Sequence, residues 1–292
     1  MKDFFQKNWL MLVVPFGAAL LTLLLLFFIV PKAQPYFNTQ KTSVPNENNK
    51  DIIKYVAIGD SLTEGVGDLT NSGGFVPILA NEIKDRYNVN AVDVENFGKN
   101  GDRSDQILKR IKKSEDIQKQ LGEADLITLT VGGNDLMKVI KGDVFNLTVE
   151  SFKKPLKNYQ GQISSLLNEI RKYNEAAPVY ILGIYNPFYL YFPEIIEMQQ
   201  IVNNWNDGTE ETVSEQNNMY FIPINDLLYK GVDGDVGITG AEEDTSSKAI
   251  TNNAIYEEDH FHPNNIGYQL MANAVREIII KTKDEWLFKE SE

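Results

Sequence analysis

The two histidines of this 292-residue chain lie in one tetrapeptide, Asp259-His260-Phe261-His262. Histidine has an unperturbed pKa of about 6.5, so it is the usual side chain for taking and returning a proton at neutral pH. A serine lies far upstream in Gly59-Asp60-Ser61-Leu62, directly after a short apolar run. If this serine acts as a nucleophile, its base must be His260 or His262.

The spacing within the tetrapeptide distinguishes the two imidazoles. Asp259 and His262 are three residues apart, so in a helical turn the carboxylate lies on the side of the imidazole and can orient it. His260 would point elsewhere. Pro263 disfavours helical backbone at His262, which favours a turn or loop there and a helix that begins near Asn264. An Asp-x-x-His pair by itself is also typical of an ordinary surface turn.

Composition excludes several chemistries and partners. The chain contains no cysteine, which excludes a thiolate nucleophile, a thiolate zinc site and a disulfide framework. Its formal net charge is −13 at pH 7. A body this acidic is not expected to bind nucleic acid through bulk charge.

The elements that must position these residues are indicated by five short runs rich in β-branched and apolar side chains. The predicted strands are residues 53–59, 91–97, 126–131, 179–184 and 220–224. Helical spacing of apolar residues lies between them. Apolar strands that alternate with helices indicate an α/β fold with a parallel sheet covered on both faces. In such a sheet an active site belongs at the carboxyl ends of the strands.

Chemically suggestive motifs follow the first three strands. Ser61 follows the first, Asn96-Phe97-Gly98-Lys99-Asn100-Gly101 the second, and Gly132-Gly133-Asn134-Asp135 the third. Each alone could be a helix cap or a glycine turn. Together they offer the hydrogen-bond donors that acyl transfer needs around a carbonyl oxygen as it becomes negative. The candidate donors are the Ser61 N–H, the Gly101 N–H and the Asn134 side-chain amide.

These three motifs and the later Asp259-x-x-His262, in this order, resemble the SGNH or GDSL family of esterases and lipases, over roughly residues 53–280. The chain looks most like the membrane-anchored members of Gram-positive bacteria. The resemblance implies a three-layer flavodoxin-like domain with a central parallel five-stranded sheet. It also implies Ser61 as nucleophile, His262 as base and then acid, and Asp259 as the orienting carboxylate. Ser61, Gly101 and Asn134 would form the oxyanion hole, and no metal or organic cofactor is needed.

The expected reaction is hydrolysis of a carboxylic ester through an acyl-serine intermediate, on a lipid or on an acylated cell-envelope substrate. The aromatic segment at residues 186–193 follows the fourth strand, so Phe188, Tyr189 and Tyr191 are expected to line the substrate-binding site. If they line a groove for an acyl chain, a lysophospholipase-like or lipase-like activity follows. If they stack on sugar rings, O-acetylated wall polysaccharide is the substrate. The sequence leaves both open.

Two alternative interpretations place the chain in other classes of protein. A noncatalytic module that binds wall polymer would predict a broken triad, whereas Ser61, Asp259 and His262 are all present. A metallohydrolase would use Asp259, His260 and His262 as ligands. Imidazoles so close in sequence rarely converge on one ion, and no further ligands are evident.

The N-terminal region predicts a membrane anchor. Residues 9–30 are uncharged and apolar, long enough to cross a hydrocarbon core of about 30 Å. A cleaved signal peptide, whose apolar region is usually about 7 to 15 residues, is the alternative. Residues 1–8 would form a short cytoplasmic N-terminus, residues 31–50 a flexible stalk, and residues 51–292 the hydrolase domain. Lysines before the span favour a single-pass protein of the cell membrane with an extracellular catalytic domain. The catalytic domain is expected to be monomeric.

Overall fold

From Ile52 onward, strands alternate with helices in the order that the sequence predicts. The computed structural model describes residues 48–142, 147–189, 196–232, 237–238 and 250–289. The predicted anchor and most of the predicted stalk lie outside these ranges. None of the helices within them combines the length and the apolar character that a bilayer span requires.

The central sheet has five parallel strands in the order β2-β1-β3-β4-β5. The strands are β1 Ile52–Gly59, β2 Ala91–Gly98, β3 Leu126–Thr130, β4 Val179–Leu182 and β5 Met219–Ile222. The five predicted strands are confirmed, and their order is that of flavodoxin-like folds. The chain runs from β1 to β2 on one side and then crosses over to β3 on the other side of β1. The resulting crevice lies at the carboxyl end of β1, where Ser61 follows.

The helices that cover the sheet are α1 Ser61–Glu64, α2 Phe75–Tyr87, α3 Ser104–Lys113, α4 Glu115–Glu123, α5 Gly133–Gly142, α6 Val149–Tyr173, α7 Ile196–Ser214, α8 Asn225–Leu228 and α9 Asn265–Lys281. A short 3-10 helix at Lys283–Glu285 follows α9. Two further strands, β6 Gly237–Ile238 and β7 Ile250–Thr251, pair antiparallel outside the main sheet. They belong to the region before the histidine turn.

Two hydrophobic cores lie on the two faces of the sheet, which makes the domain three-layered. Alternate residues of β1 enter different cores: Ile53, Tyr55 and Ala57 the first, Val56 and Ile58 the second. Side chains of α2 and α9 fill the first core, and those of α3, α6 and α7 fill the second. Because both faces are covered, the inner strands β1, β3 and β4 read as nearly continuous apolar runs, whereas the edge strand β2 also carries Asp93 and Glu95.

The two ends of the domain meet. Asn49, at the end of the predicted stalk, forms a β-bridge with Phe288. The Lys50 N–H donates to the Leu287 carbonyl at 2.8 Å. The segment after α9 is therefore held beside the start of β1.

Candidate active site

The turn that carries Ser61 depends on close packing between the ends of β1 and β3. A Cβ at Gly59 would lie 2.3 Å from the Thr130 Oγ1 atom, so only glycine fits there. The Asp60 carboxylate accepts hydrogen bonds from the Leu62 N–H at 3.1 Å and from the Thr130 hydroxyl at 2.7 Å. Burial raises the pKa of Asp60. This network places Ser61 at the start of α1, above the end of β1.

The structure brings Ser61, His262 and Asp259 into one chain of hydrogen bonds. The His262 Nε2 atom lies 2.9 Å from Ser61 Oγ, and Nδ1 lies 2.6 Å from Asp259 Oδ2. The other carboxylate oxygen accepts the N–H groups of Phe261 and His262 at 2.9 and 3.0 Å. Partial burial would raise the pKa of Asp259, but these hydrogen bonds outweigh it and lower the pKa. Asp259 is therefore a charged partner for the imidazole at neutral pH.

The histidine turn is a loop, as the proline after it predicts. The His260 N–H donates to the Tyr256 carbonyl at 2.9 Å, and the Tyr256 N–H donates to the His262 carbonyl at 2.7 Å. His260 itself adopts the left-handed conformation, with φ of 53°. Helix α9 begins at Asn265, and the Asn264 side chain caps it. Of the two imidazoles, that of His262 is hydrogen-bonded to the serine.

The three candidate oxyanion donors lie at the carboxyl ends of β1, β2 and β3. Gly101 has φ of 81°, which favours glycine although a Cβ there would meet open space. The Asn134 amide donates to the Asp102 carbonyl at 3.0 Å, so it lies beside the residue that follows Gly101. Among the described residues, no acceptor takes a hydrogen bond from the N–H of Ser61 or of Gly101. Both N–H groups are free to bind a substrate oxygen.

Asn96 and Gly98 have a positioning role that the sequence did not assign individually. The Asn96 side chain donates to the Thr63 carbonyl and accepts the Gly98 N–H, both at 2.8 Å. A Cβ at Gly98 would lie 2.1 Å from the Glu64 backbone nitrogen. The motif after β2 therefore holds α1, and with it the serine turn, against the edge of the sheet.

Asp68 is a second positioning residue that sequence reasoning missed. Its carboxylate accepts hydrogen bonds from four N–H groups, one hydroxyl and one amide, contributed by Thr70, Ser72, Gly73, Gly74 and Asn265. Asn265 begins α9, directly after the histidine turn. The carboxylate therefore joins the loop after α1 to the segment that carries His262. An aspartate ahead of a Ser-Gly-Gly run is the sequence signal that could have indicated this loop.

Replacing Asp68 with asparagine is expected to reduce the free energy of unfolding by about 2 to 3 kcal/mol at neutral pH. Burial alone would raise the pKa of Asp68, but the hydrogen bonds, foremost that of the Thr70 hydroxyl, hold it well below its usual range. A carboxyl group whose pKa is lower in the folded protein stabilises the fold fully above its pKa in the unfolded chain, about 3.9. This stabilisation is lost as the pH falls toward the lower pKa of the folded protein. The difference in the free energy of unfolding between wild type and Asp68→Asn should therefore become smaller below about pH 4.

Urea unfolding across the acid range measures this difference. Asp85→Asn, on the exposed surface of α2, is the matched control and should change stability little at any pH. A difference for Asp68→Asn that stays constant down to about pH 2 would contradict the prediction.

A mainly apolar pocket begins at Ser61 and extends between α5, α7 and the segment after β4. It encloses about 610 Å³, including its open mouth. The apolar side chains that line it are Leu62, Val131, Leu136, Met137, Ile140, Ile184, Tyr185, Pro187, Phe188, Met198, Val202 and Phe261. Asn134 also reaches the wall of the pocket. The Asn134 amide and the apolar surface thus lie next to the same serine, Ser61.

The three aromatic residues predicted to line the substrate have different positions. Phe188 lines the pocket, and its ring centroid lies 6.2 Å from that of Phe261. Tyr189 instead packs edge-on against Tyr229, with centroids 4.7 Å apart, and is not part of the pocket wall that the structure describes. Tyr191 lies outside the described residues.

Both ring nitrogens of His262 have protein partners, Asp259 and Ser61. This arrangement suits proton transfer and leaves neither nitrogen for a metal ion. In the part of the chain that the structure describes, no group of three acidic or imidazole side chains could hold a metal. The geometry therefore favours hydrolysis by an activated serine over the metallohydrolase alternative.

Comparisons with known proteins agree with this fold. The chain belongs to the GDSL-like lipase/acylhydrolase family, whose model matches residues 57–270, so its resemblance to the SGNH or GDSL family is confirmed. Its membership of this family makes it a carboxylic ester hydrolase. A relative, the uncharacterized protein YpmR of Bacillus subtilis (strain 168), is 35% identical over 250 residues. The match covers 86% of this chain and 89% of YpmR.

Solved structures share the fold at lower identity. The lipase Lip_vut3 from a goat rumen metagenome has a TM-score of 0.62 and 24% identity, covering 77% of this chain and 96% of that chain. A catalytic mutant of Axe2, an acetylxylan esterase from Geobacillus stearothermophilus, has a TM-score of 0.55 and 16% identity, covering 83% and 99%. At these identities the likeness shows the fold and does not select a substrate.

Proposed function

We propose that this protein is a serine acylhydrolase that cleaves carboxylic esters of acyl chains longer than acetyl, as a lipase-like or lysophospholipase-like enzyme. The observation that carries the proposal is the apolar pocket that opens directly beside Ser61. Ligand sites are usually lined by apolar side chains with a few polar groups that orient the ligand, as Ser61 and Asn134 would be here. An acetyl group would leave most of this apolar surface without a partner.

The proposed mechanism is two-step acyl transfer. His262 takes the Ser61 proton as the oxygen attacks the ester carbonyl, and Asp259 stabilises the resulting imidazolium. The developing oxyanion accepts hydrogen bonds from the backbone N–H groups of Ser61 and Gly101 and from the Asn134 amide. His262 then protonates the leaving alcohol. Water repeats the sequence on the acyl-enzyme, which releases the acid and restores Ser61.

The pocket favours an acyl chain over a sugar ring as the group bound next to the serine. One solved neighbour is named a lipase and another an acetylxylan esterase, so the shared fold is neutral on this point. The rings of Phe188 and Phe261 are tilted by 51° to each other, and both belong to the apolar wall. A sugar-stacking platform would instead need an open aromatic face.

The test is an acyl chain-length profile with a variant that shortens the pocket. Wild type should prefer esters of medium or long acyl chains, because each buried methylene contributes about 0.8 kcal/mol. Ile140→Trp places a large ring in the pocket and should move the optimum toward short chains, lowering kcat/KM for the preferred long chain by about 10-fold or more. Steady-state kinetics on a series of nitrophenyl esters measures both.

Val139→Trp is the matched control, since Val139 precedes Ile140 on α5 but lines a different cavity. It should leave the chain-length optimum unchanged. A steep preference of wild type for acetyl esters would refute the acyl-chain proposal. It would point to the alternative, an O-acetyl esterase acting on cell-wall polysaccharide.

We further propose that residues 9–30 anchor the enzyme in the cell membrane, with the catalytic domain outside. The support is the uncharged apolar run itself, which is long enough to span a bilayer. The full-length protein should then remain with the membrane fraction after alkaline carbonate washing, and surface protease should release an active fragment. Recovery of a soluble chain that begins after residue 30 would instead indicate a cleaved signal peptide.

A further inference from the structure

We propose that Arg110 and Asp102 are positioning residues that set the geometry of the oxyanion hole without contacting the substrate. This inference rests on the proposed roles of Ser61, Gly101 and Asn134. Arg110 lies on α3, in a run of basic residues that would pass for a solvated helix face. Its guanidinium nevertheless turns inward, and the side chain is only 22% exposed.

Each nitrogen of the Arg110 guanidinium has an acceptor at the carboxyl edge of the sheet. Nη2 donates to the Gly59 carbonyl at 2.9 Å, at the end of β1. Nη1 donates to the Phe97 carbonyl at 3.0 Å, near the end of β2. Nε donates to Asp102 Oδ2 at 2.6 Å. One planar group therefore fixes the ends of two neighbouring strands and the loop that follows the second.

Asp102 extends this link to the third donor. It directly follows Gly101, and its side chain is only 6% exposed. Its backbone carbonyl accepts the Asn134 amide at 3.0 Å. Two backbone bonds brace the same loop: the Lys99 N–H donates to the Gly59 carbonyl at 3.1 Å, and the Asp102 N–H to the Lys99 carbonyl at 3.2 Å. The position of Asp102 thus determines where both Gly101 and Asn134 lie relative to the serine turn.

The physical need for such a group follows from the donors themselves. Three N–H groups stabilise an oxyanion only when all three point at one spot, and each comes from the end of a different strand. The ladder between β1 and β2 ends with the hydrogen bond from the Lys99 N–H to the Gly59 carbonyl, and the loop beyond it needs another support. A rigid guanidinium with donors in a fixed fork provides that support better than a flexible ammonium does. A buried ion pair adds little net stability, so its main contribution here is geometric.

The test compares Arg110→Met and Arg110→Lys with Arg276→Met in the full chain. Methionine keeps most of the aliphatic volume and removes the donors and the charge. We expect kcat to fall about 10- to 100-fold for Arg110→Met with KM nearly unchanged, because the donors are misplaced rather than removed. Arg110→Lys should recover only part of the loss, since one ammonium cannot reach all three acceptors.

Arg276 is a matched control because it also pairs with a carboxylate in a partly buried position. It donates to both oxygens of Glu82 at 3.1 and 3.2 Å, and its side chain is 29% exposed. The rate is divided by the amount of serine that a fluorophosphonate labels. A variant that is only less stable then has fewer labelled serines but the same kcat per labelled serine. The acid limb of the pH profile should not move, because Arg110 contacts neither His262 nor Asp259.

The inference fails if kcat per titrated serine is the same for Arg110→Met as for Arg276→Met. It also fails if the Arg110 variants change the acid limb of the pH profile, since that would assign their effect to His262. If Arg110→Met does not fold, Asp102→Leu decides the question: it removes the oxygen that accepts the Arg110 Nε–H while keeping a side chain of similar size, and wild-type kcat in this variant overturns the proposal. Activity that survives in Ser61→Ala would refute the proposed function instead, which keeps the two failures distinct.

Discussion

Replacing Ser61 with alanine is expected to lower kcat for ester hydrolysis by about 10⁴- to 10⁶-fold and to leave the fold intact. Without the Oγ atom no acyl-enzyme forms, and the remaining donors can only bind the ester and polarise it. The nearby Thr63 hydroxyl cannot take over, because it is buried and lies 2.8 Å from the Thr130 hydroxyl. Initial rates on a medium-chain nitrophenyl ester and thermal unfolding of the same preparation measure the two parts of this expectation.

Labelling by a fluorophosphonate gives an independent measure of the same serine. Wild type should gain the mass of one adduct on the peptide that contains Ser61, and the alanine variant should gain none. Ser72→Ala, a change in the loop after α1, is the control and should retain both label and rate. Undiminished hydrolysis by Ser61→Ala would mean that another group is the nucleophile.

Replacing His262 with alanine is expected to lower kcat/KM by about 10³- to 10⁵-fold. The wild-type imidazole lies between Ser61 Oγ and Asp259 Oδ2, so its loss removes both the base for attack and the acid for the leaving alcohol. Steady-state rates on the same nitrophenyl ester near neutral pH, with thermal unfolding of the same preparation, test this expectation.

His260 supplies the matched control for this change. Its φ of 53° lies in the left-handed region, which asparagine adopts more readily than alanine, so His260→Asn is the better substitution. This variant should retain at least about half of the wild-type kcat/KM. Comparable losses in the two histidine variants would show that the turn as a whole, and not the His262 imidazole, sets the rate.

The sequence predicted the inner strands well because β1, β3 and β4 are buried on both faces. Val56, Ile58 and their neighbours form an apolar run that a surface element would not carry, and glycine ends or follows the first three runs, at Gly59, Gly98 and Gly132. Helix α5 was harder to predict, since Gly133 and Asn134 read as turn residues although they form its first turn. Their helical conformation follows from packing, for the Leu136 side chain of the same helix is buried in the second core.

The residues that hold the site together left a weaker signal than those expected to do the chemistry. Arg110 stands among Lys109, Lys112 and Lys113, and nothing in that run distinguishes it. Its partners Gly59 and Asp102 come from other elements, so its role appears only when the chain is folded. Asp68 was missed for the same reason.

The order of the catalytic groups along the chain has a consequence for biosynthesis. Ser61, Gly101 and Asn134 leave the ribosome well before His262, and the Asp68 link to Asn265 cannot close until the start of α9 has been made. Domains fold largely as units during synthesis. If Ser61 and His262 act as proposed, a growing polypeptide carries a serine without its base, and we expect it to be inert toward esters until α9 has docked.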